Sequence, residues 1–135
     1  MIVADASIIL SWAYRETNVH LAEPVLRLIA AKGAIVPAIW PMEIANSLEL
    51  SLLRERISSE QYWQLLAAIR ELDIQVEPLM EDRIWDDVAT LARRHHLTIY
   101  DAQYLETASR LRLPLATFDN ELIAAARAEG VVVLP

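Results

Sequence analysis

Four acidic residues occur where a strand-like pattern gives way to a helical one: Asp5, Glu43, Asp101 and Asp119. No lysine or arginine lies within three positions of any of them, so the sequence offers them no local ion pair. Each acid taken alone could simply cap a helix or complement its dipole. Gathered at one site, they would repel by about 4 kcal/mol per pair at roughly 4 Å and an effective dielectric of about 20. A cation is the best candidate to offset that repulsion.

A ligand set made only of carboxylates suits the hard cations Mg²⁺ and Mn²⁺, which bind oxygen and keep several waters. Such an ion activates a water molecule and stabilises the charge that develops on phosphorus and on the leaving oxygen. The four acids therefore predict metal-assisted hydrolysis of a phosphodiester bond, with Mg²⁺ or Mn²⁺ as the cofactor.

Three polar residues stand where they could support these acids. Asn46 follows Glu43 by three residues and shares its helix face, so its amide could orient Glu43 or Asp5. Ser7 and Thr117 each stand two residues from an acid, and their hydroxyls could bond a carboxylate, a metal-bound water or a phosphate. For Ser7, ordinary helix capping is an equally good interpretation.

Substrate contact is predicted for Trp12, Arg15 and Trp40, which lie near the junctions that bear the acids. Tryptophan rings can stack on bases and arginine can bond phosphate, although burial is the commoner fate of tryptophan. His95 and His96 could act as general bases. Both stand at the end of a helical pattern, where imidazole is favourable, and we interpret them as structural.

Composition excludes several other kinds of site. The 135 residues include no cysteine, only two glycines and a single lysine, Lys32. Disulfides, thiolate nucleophiles, Cys-ligated zinc and Gly-rich phosphate loops are therefore excluded. The Gly-x-Ser-x-Gly turn of many serine hydrolases is also absent.

Charge and hydropathy limit the partners and the location. A net charge of −7 disfavours broad electrostatic binding of nucleic acid, so any RNA contact should be local, through arginines such as Arg15, Arg54 and Arg93. No segment approaches the roughly 20 apolar residues of a membrane span. Asp5 stands where a secretory signal would be basic, so we expect a cytoplasmic protein.

Short apolar runs alternate with helical patterns along the chain. Runs such as Ile2–Ala4, Ala34–Val36 and Val131–Leu134 lack polar alternation, which is typical of strands buried in a parallel sheet. The pattern predicts a three-layer α/β/α sandwich with a mostly parallel sheet of about five strands, joined by right-handed crossovers. Because no linker or repeat interrupts it, residues 1–135 are predicted to form a single domain. Ligands of such sheets bind beyond the carboxyl ends of the strands, where the four acids would meet.

Four motifs, taken in order, resemble the PIN domain, a fold of metal-dependent ribonucleases, and more narrowly the VapC-type toxins of prokaryotic toxin–antitoxin pairs. The motifs are Val3–Ser7, Pro41–Asn46, Tyr100–Leu105 and Thr117–Leu122. The resemblance covers nearly all of the chain and implies endonucleolytic cleavage of RNA, a cognate antitoxin that blocks the site, and a homodimer. It also implies roles for six residues: a metal-binding quartet of Asp5, Glu43, Asp101 and Asp119, with Thr117 beside the metal site and Asn46 as a structural hydrogen-bonder.

One residue departs from the family pattern. Glu106 stands where similar proteins often have a small apolar residue. Five positions after Asp101, it lies about 140° around a helix, so we expect it at the surface.

Two other functions stay open. A receiver-like or phosphatase-like domain also uses acids at parallel strand ends with Mg²⁺, but such sites normally need a basic residue near a strand end, and Lys32 instead ends a helix. The other alternative is a non-catalytic binding module of the same fold.

A helical hairpin is predicted over Met42–Leu72, with more apolar surface than one core face needs. Leu48 and Leu52 form one stripe, while Leu50 and Leu53 turn elsewhere. Such a surplus predicts a partner site, for a second copy or for an antitoxin segment.

Overall fold

A five-stranded sheet lies at the centre of the computed structural model, which describes all 135 residues. Every strand pair is parallel, and the spatial order is β3-β2-β1-β4-β5. The strands are β1 (Ile2–Ala4), β2 (Ala34–Val36), β3 (Ile74–Val76), β4 (Leu115–Ala116) and β5 (Val133–Leu134). The predicted parallel sheet of about five strands is confirmed.

Helices form all the connections between the strands. They are α1 (Ala6–Ala13), α2 (Val19–Lys32), α3 (Trp40–Leu53), α4 (Ser59–Arg70), α5 (Glu81–Arg83), α6 (Ala89–His95), α7 (Ile99–Leu111) and α8 (Asn120–Ala128). A π-helical turn, Ile84–Val88, joins α5 to α6. None of these helices is both long enough and apolar enough to cross a membrane.

The direction of the chain across the sheet sorts the helices into two layers. The chain steps one way from β1 to β3 and the opposite way from β3 through β4 to β5. Right-handed connections therefore place α1–α4 on one face and α5–α8 on the other. The packing agrees, since α1 contacts α2, α3 and α4, while α7 contacts α6 and α8. The architecture is the predicted α/β/α sandwich.

Local sequence explains several of these elements. All three residues of β1 are at most 2% exposed, and 28 buried apolar residues form one core cluster. Helix α4 begins with the predicted capping box, in which Gln61 N donates to Ser58 Oγ and Ser58 N donates to Gln61 Oε1. Gly33 ends α2 at φ +74°, a backbone conformation that residues with a side chain rarely adopt.

Glu106 lies in the interior, and the prediction of a surface position is wrong. Its exposed fraction is 5%, because α7 is enclosed by the sheet on one side and by α6, α8 and the π-helical turn on the other. Arg110 Nε donates to Glu106 Oε1 at 2.8 Å, and Arg83 Nε lies 3.7 Å from the same oxygen. Helical spacing predicts the angle between Asp101 and Glu106 around α7, but it does not show which elements pack against the side of α7 that bears Glu106.

Candidate active site

The site lies at the carboxyl edge of the sheet, between β1 and β4. The chain leaves β1 in one direction and later returns to its other side through β4, so the crevice between these strands is a topological switch point. Ala4 pairs with Ala116, which makes Asp5 and Thr117 the next residues of two adjacent strands. Strand register therefore brings together two predicted site residues that are 112 positions apart.

Asp5 is held by hydroxyl groups from both sides of the crevice. Thr117 Oγ1 donates to Asp5 Oδ2 at 2.7 Å, and Ser7 Oγ donates to the same oxygen at 2.8 Å. Asp5 occupies the N-cap position of α1 but makes no side-chain capping bond, and its Oδ2 accepts from the two hydroxyls instead. Burial raises the pKa of Asp5, and the bonds from Thr117 and Ser7 oppose that rise.

The same two hydroxyls also position the loop after β4. Ser7 Oγ accepts from Phe118 N at 3.2 Å, and Thr117 Oγ1 accepts from Asp119 N at 3.0 Å. Each hydroxyl thus donates to Asp5 and accepts from the loop that bears Asp119. The capping interpretation of Ser7 misses this bridge between β1 and β4.

Glu43 lies in the first turn of α3, opposite a tyrosine for which the sequence predicted no role. Tyr104 is fully buried, and its hydroxyl donates to Glu43 Oε1 at 3.4 Å. The pKa of Glu43 is raised to about 7, mainly by partial burial and then by the charges of Asp5 and Asp101. Tyr104 stands three residues after Asp101, on the same face of α7, and that spacing was the signal available in the sequence.

Asp101 and Asp119 complete the acidic group from two helix starts. The pKa of Asp101 is raised by burial and then by Asp119 and Asp5. Asp119 caps α8, since its Oδ1 accepts from Leu122 N at 2.8 Å. The capping interpretation is therefore correct for Asp119, and its charge still acts on Asp101.

No cation of the protein offsets these four carboxylates. All ion pairs of the chain lie elsewhere and involve Glu77, Glu106 and Glu129. The donors are hard oxygens and their charges disfavour one another, so the residues fit a divalent cation such as Mg²⁺ or Mn²⁺. No three acidic or histidine side chains lie close enough together to hold a metal ion between them. A cation at this site would therefore bind one or two of the carboxylates directly and keep several waters.

The other predicted site residues differ in their positions. Asn46 is exposed and lines a hollow beside Glu43, with no hydrogen bond to Glu43 or to Asp5. Trp12 is half-buried in α1. Arg15 is exposed just beyond α1 and lines a neighbouring hollow.

Trp40 and His95 are held within the fold. Trp40 is 7% exposed at the start of α3, so its ring is not available for stacking, and that prediction is wrong. Its position at the first turn of a core-facing helix explains the burial. His95 Nε2 lies 2.7 Å from Glu129 Oε1 at the other layer of helices, which agrees with the structural interpretation.

The family model and the related sequences agree on one protein family. The sequence model of the PIN domain matches residues 2–128. The VapC ribonuclease Mb0985 of Mycobacterium bovis and the ribonuclease VapC9 of Mycobacterium tuberculosis are each 30% identical over 138 residues, covering 100% of this chain and 99% of theirs. The ribonuclease VapC1 of Mycobacterium tuberculosis is 32% identical over 92 residues, which span 66% of this chain and 65% of that protein.

Two solved structures share the fold. PAE2754 from Pyrobaculum aerophilum superposes with a TM-score of 0.66 at 22% identity, covering 98% of this chain and 82% of that one. FitAcB from Neisseria gonorrhoeae gives a TM-score of 0.68 at 18% identity, covering 100% and 97% respectively. The family model matches nearly the whole chain, and the parallel sheet has an acidic crevice at its switch point. The chain therefore belongs to the PIN domain family, and it resembles VapC ribonucleases from end to end.

Proposed function

We propose that this chain is a VapC-type ribonuclease that hydrolyses phosphodiester bonds of RNA. The observation that supports this most is the group of four carboxylates without a cationic partner at the switch point of a PIN fold. Full-length relatives at 30% identity are named ribonucleases, which agrees with hydrolytic chemistry. Because the fold has one sheet and one core, residues 1–135 act as a single PIN domain in this proposal.

A divalent cation, Mg²⁺ or Mn²⁺, is the cofactor of this proposal. Asp5, Glu43, Asp101 and Asp119 would hold it, directly or through water. The ion supplies an activated water and stabilises the charge on the phosphate and on the leaving oxygen. Burial raises the pKa of Glu43 and of Asp101, and the neighbouring carboxylates raise both further; a cation held by these residues would offset that second contribution.

The side chains around the quartet keep its oxygens in place. Thr117 and Ser7 bond one oxygen of Asp5 and so fix the rotation of its carboxylate. Tyr104 restrains Glu43 from inside the core. Rigid support of this kind matters because small misplacements of reacting groups reduce rates strongly. Thr117, Ser7 and Tyr104 are positioning residues in this account.

The partners of this proposal are RNA, a cognate antitoxin protein and a second copy of the chain, in the cytoplasm. The surface of the α3–α4 hairpin supports a protein partner. Leu48 is buried, whereas Leu53 is 78% exposed and Trp63 on α4 is 63% exposed. Apolar side chains that extend this far into solvent favour association with another protein surface.

The direct experiment incubates the purified chain with labelled single-stranded RNA in Mn²⁺ or in EDTA. We expect cleavage at internal positions in Mn²⁺ and none in EDTA. Cutting that persists in EDTA would falsify the metal-dependent mechanism. Binding without cutting in Mn²⁺ would instead favour the non-catalytic module.

The same preparation tests the phosphoryl-transfer alternative with a small phosphodonor such as acetyl phosphate. We expect no aspartyl phosphate. Lys32 ends α2 and precedes the amino end of β2, so it lies at the opposite edge of the sheet from the acids. A receiver would need its basic residue at the acidic edge. Formation of an acyl phosphate on Asp5 would contradict the ribonuclease proposal.

A further inference from the structure

A groove runs from Glu43 along α3 toward the end of α1. A hollow of about 360 Å³ contains Glu43, and a second hollow of about 730 Å³ contains Arg15. The two hollows share three lining residues and therefore adjoin each other. The shared residues are Ser47, Ser51 and Arg56. We call this feature the α3 groove.

One face of α3 forms the side of the groove nearest the acids. Ser47, Leu50 and Arg54 follow Glu43 by four, seven and eleven residues and line the same hollow. Eleven residues make about three turns plus 20°, so Glu43 and Arg54 lie on one face about 16 Å apart along the helix axis. The groove thus begins at a proposed metal ligand and ends among arginines.

The floor of the groove is a fixed chain of hydroxyls. Tyr14 OH lies 3.0 Å from Ser47 Oγ, and Ser51 Oγ donates to Tyr14 OH at 3.0 Å. These bonds join the end of α1 to the middle of α3. The floor is therefore polar, uncharged and rigid, and it does not repel an anionic chain lying over it.

Three exposed arginines line the groove without an acidic partner. Arg15, Arg54 and Arg56 form no ion pair, whereas Arg83 and Arg110 in the other layer are paired with glutamates. Beyond Glu43, the acid that lines the groove is Glu16, so the outer part of the groove is net positive. A free guanidinium is well matched to phosphate, which it can bond in a bidentate way.

These observations favour a nucleic-acid backbone over an apolar helix as the occupant. We propose that the α3 groove binds a single RNA strand on one side of the cleaved bond, with Arg54, Arg56 and Arg15 bonding its phosphates. The inference rests on the proposed function and names the path of its substrate. It also explains how an acidic protein binds RNA, because the positive charge is concentrated along the strand rather than spread over a face.

The test measures RNA binding rather than cutting. Fluorescence anisotropy measures the affinity of the protein for a labelled single-stranded RNA in EDTA. All proteins carry Asp101→Asn, and the groove variant also carries the pair Arg54→Gln and Arg56→Gln. The matched control pair is Arg27→Gln and Arg127→Gln, two exposed arginines on α2 and α8 outside the groove. Thermal melts check that every variant is folded.

We expect the groove pair to weaken RNA binding at least tenfold. We also expect the slope of log K against log salt to fall by about 0.7 for each arginine that bonds a phosphate. The control pair should change neither quantity by a comparable amount. Equal affinities and slopes for the two pairs would overturn the inference. That result is expected if the groove binds a protein partner instead, or if its arginines only complement helix ends.

A parallel cleavage assay separates this inference from the proposed function. If the otherwise wild-type chain binds RNA through the groove but does not cut it in Mn²⁺, the ribonuclease proposal fails and the groove assignment stands. If the groove pair cuts RNA at wild-type KM and kcat, the assignment fails and the ribonuclease proposal stands.

Discussion

The side chains around Asp5 show how single residues build the site. Asp5 ends β1 and would be an ordinary acid at a strand end without Thr117, whose hydroxyl reaches it from the adjacent strand. The sequence predicted both residues: Asp5 is an acid at a predicted strand end, and Thr117 stands two residues before the acid Asp119. It could not predict that one oxygen of Asp5 accepts both hydroxyls, since that depends on the register of β1 with β4.

Replacing Thr117 by valine tests this support. Thr117→Val keeps the volume but removes the donor to Asp5 and the acceptor for Asp119 N. We expect stability to fall by about 1–3 kcal/mol, from buried polar groups left unpaired, and cleavage to fall about 10- to 100-fold. Urea denaturation and a Mn²⁺-dependent cleavage assay measure the two effects.

Thr90→Val is the matched control, because Thr90 is exposed and its hydroxyl bonds only the Asp86 carbonyl oxygen in the preceding π-helical turn. It should leave cleavage unchanged. Equal cleavage by Thr117→Val and Thr90→Val would show that the hydroxyl of Thr117 has no positioning role.

Glu43 gives the metal-free protein a specific pH dependence. Its folded pKa is raised from 4.5 to about 7, so the native state binds more protons than the unfolded state in that interval. Stability present at low pH is therefore lost as pH rises from about 4.5 through 7. In EDTA, we expect Glu43→Gln to reduce the drop in melting temperature over this interval.

The same melts are repeated at pH 8 with Mn²⁺. Bound cation should raise the melting temperature of the wild type more than that of Glu43→Gln. The account of Glu43 is wrong if the two proteins show the same pH profile in EDTA and the same response to Mn²⁺.

At the scale of elements, sequence predicted best where one local cause decides the structure. Continuous apolar runs define β1 and β2 with the predicted bounds, Ile2–Ala4 and Ala34–Val36. The last strand is shorter than predicted, Val133–Leu134, because Val131 N donates to the Ala126 carbonyl oxygen and belongs to the end of α8. The π-helical turn at Ile84–Val88 packs against α7, and no local signal in the sequence predicts it.

Glu106 on α7 is a buried charge that local sequence also could not predict. Glu106 faces Arg110 and Arg83 in a cluster that also contains Glu77 and joins α7 to α5. Because α7 also bears Asp101, this cluster contributes to the position of the site. Spacing alone could not predict it, since burial depends on the elements that fold back over α7.

Replacing Glu106 by glutamine tests the structural role of the cluster. Glu106→Gln leaves Arg110 with Glu77 as its remaining partner, and we expect a loss of about 1–3 kcal/mol of stability. Glu71→Gln, at an exposed residue after α4, is the control and should change stability by less than about 0.5 kcal/mol. Chemical denaturation compares them. A Glu106→Gln protein as stable as the control would mean that the cluster does not stabilise the fold.

For the whole molecule, the distribution of charge matters more than its sum. The net charge is −7, and without the four site acids it would be −3. The acidity therefore does not argue against an RNA substrate, because much of it belongs to the proposed metal site. From the sequence, Arg15, Arg54 and Arg93 were the candidate RNA contacts. Arg15 and Arg54 line the α3 groove, whereas Arg93 lies on α6 outside it. The groove itself could not be predicted, because it depends on the packing of α1 against α3.

Association is a second property of the whole molecule. Exposed apolar side chains of the α3–α4 hairpin, Leu53 and Trp63, leave surface for a second copy, and we expect a homodimer in solution. Sedimentation of the purified chain at micromolar concentration measures the mass directly. The expected result is twice the 15.3 kDa of one chain. A single species at the monomer mass would contradict the dimer.

The central claim is that four carboxylates hold the cation that cuts RNA, and one measurement tests it most directly. Cleavage rates of single-stranded RNA in Mn²⁺ are compared for the wild type, Asp101→Asn and Asp86→Asn, the last being an exposed acid outside the site. We predict a loss of at least about 100-fold for Asp101→Asn, since a removed ligand weakens both cation binding and charge stabilisation, and no loss for Asp86→Asn. Cleavage by Asp101→Asn at the wild-type rate would contradict the claim.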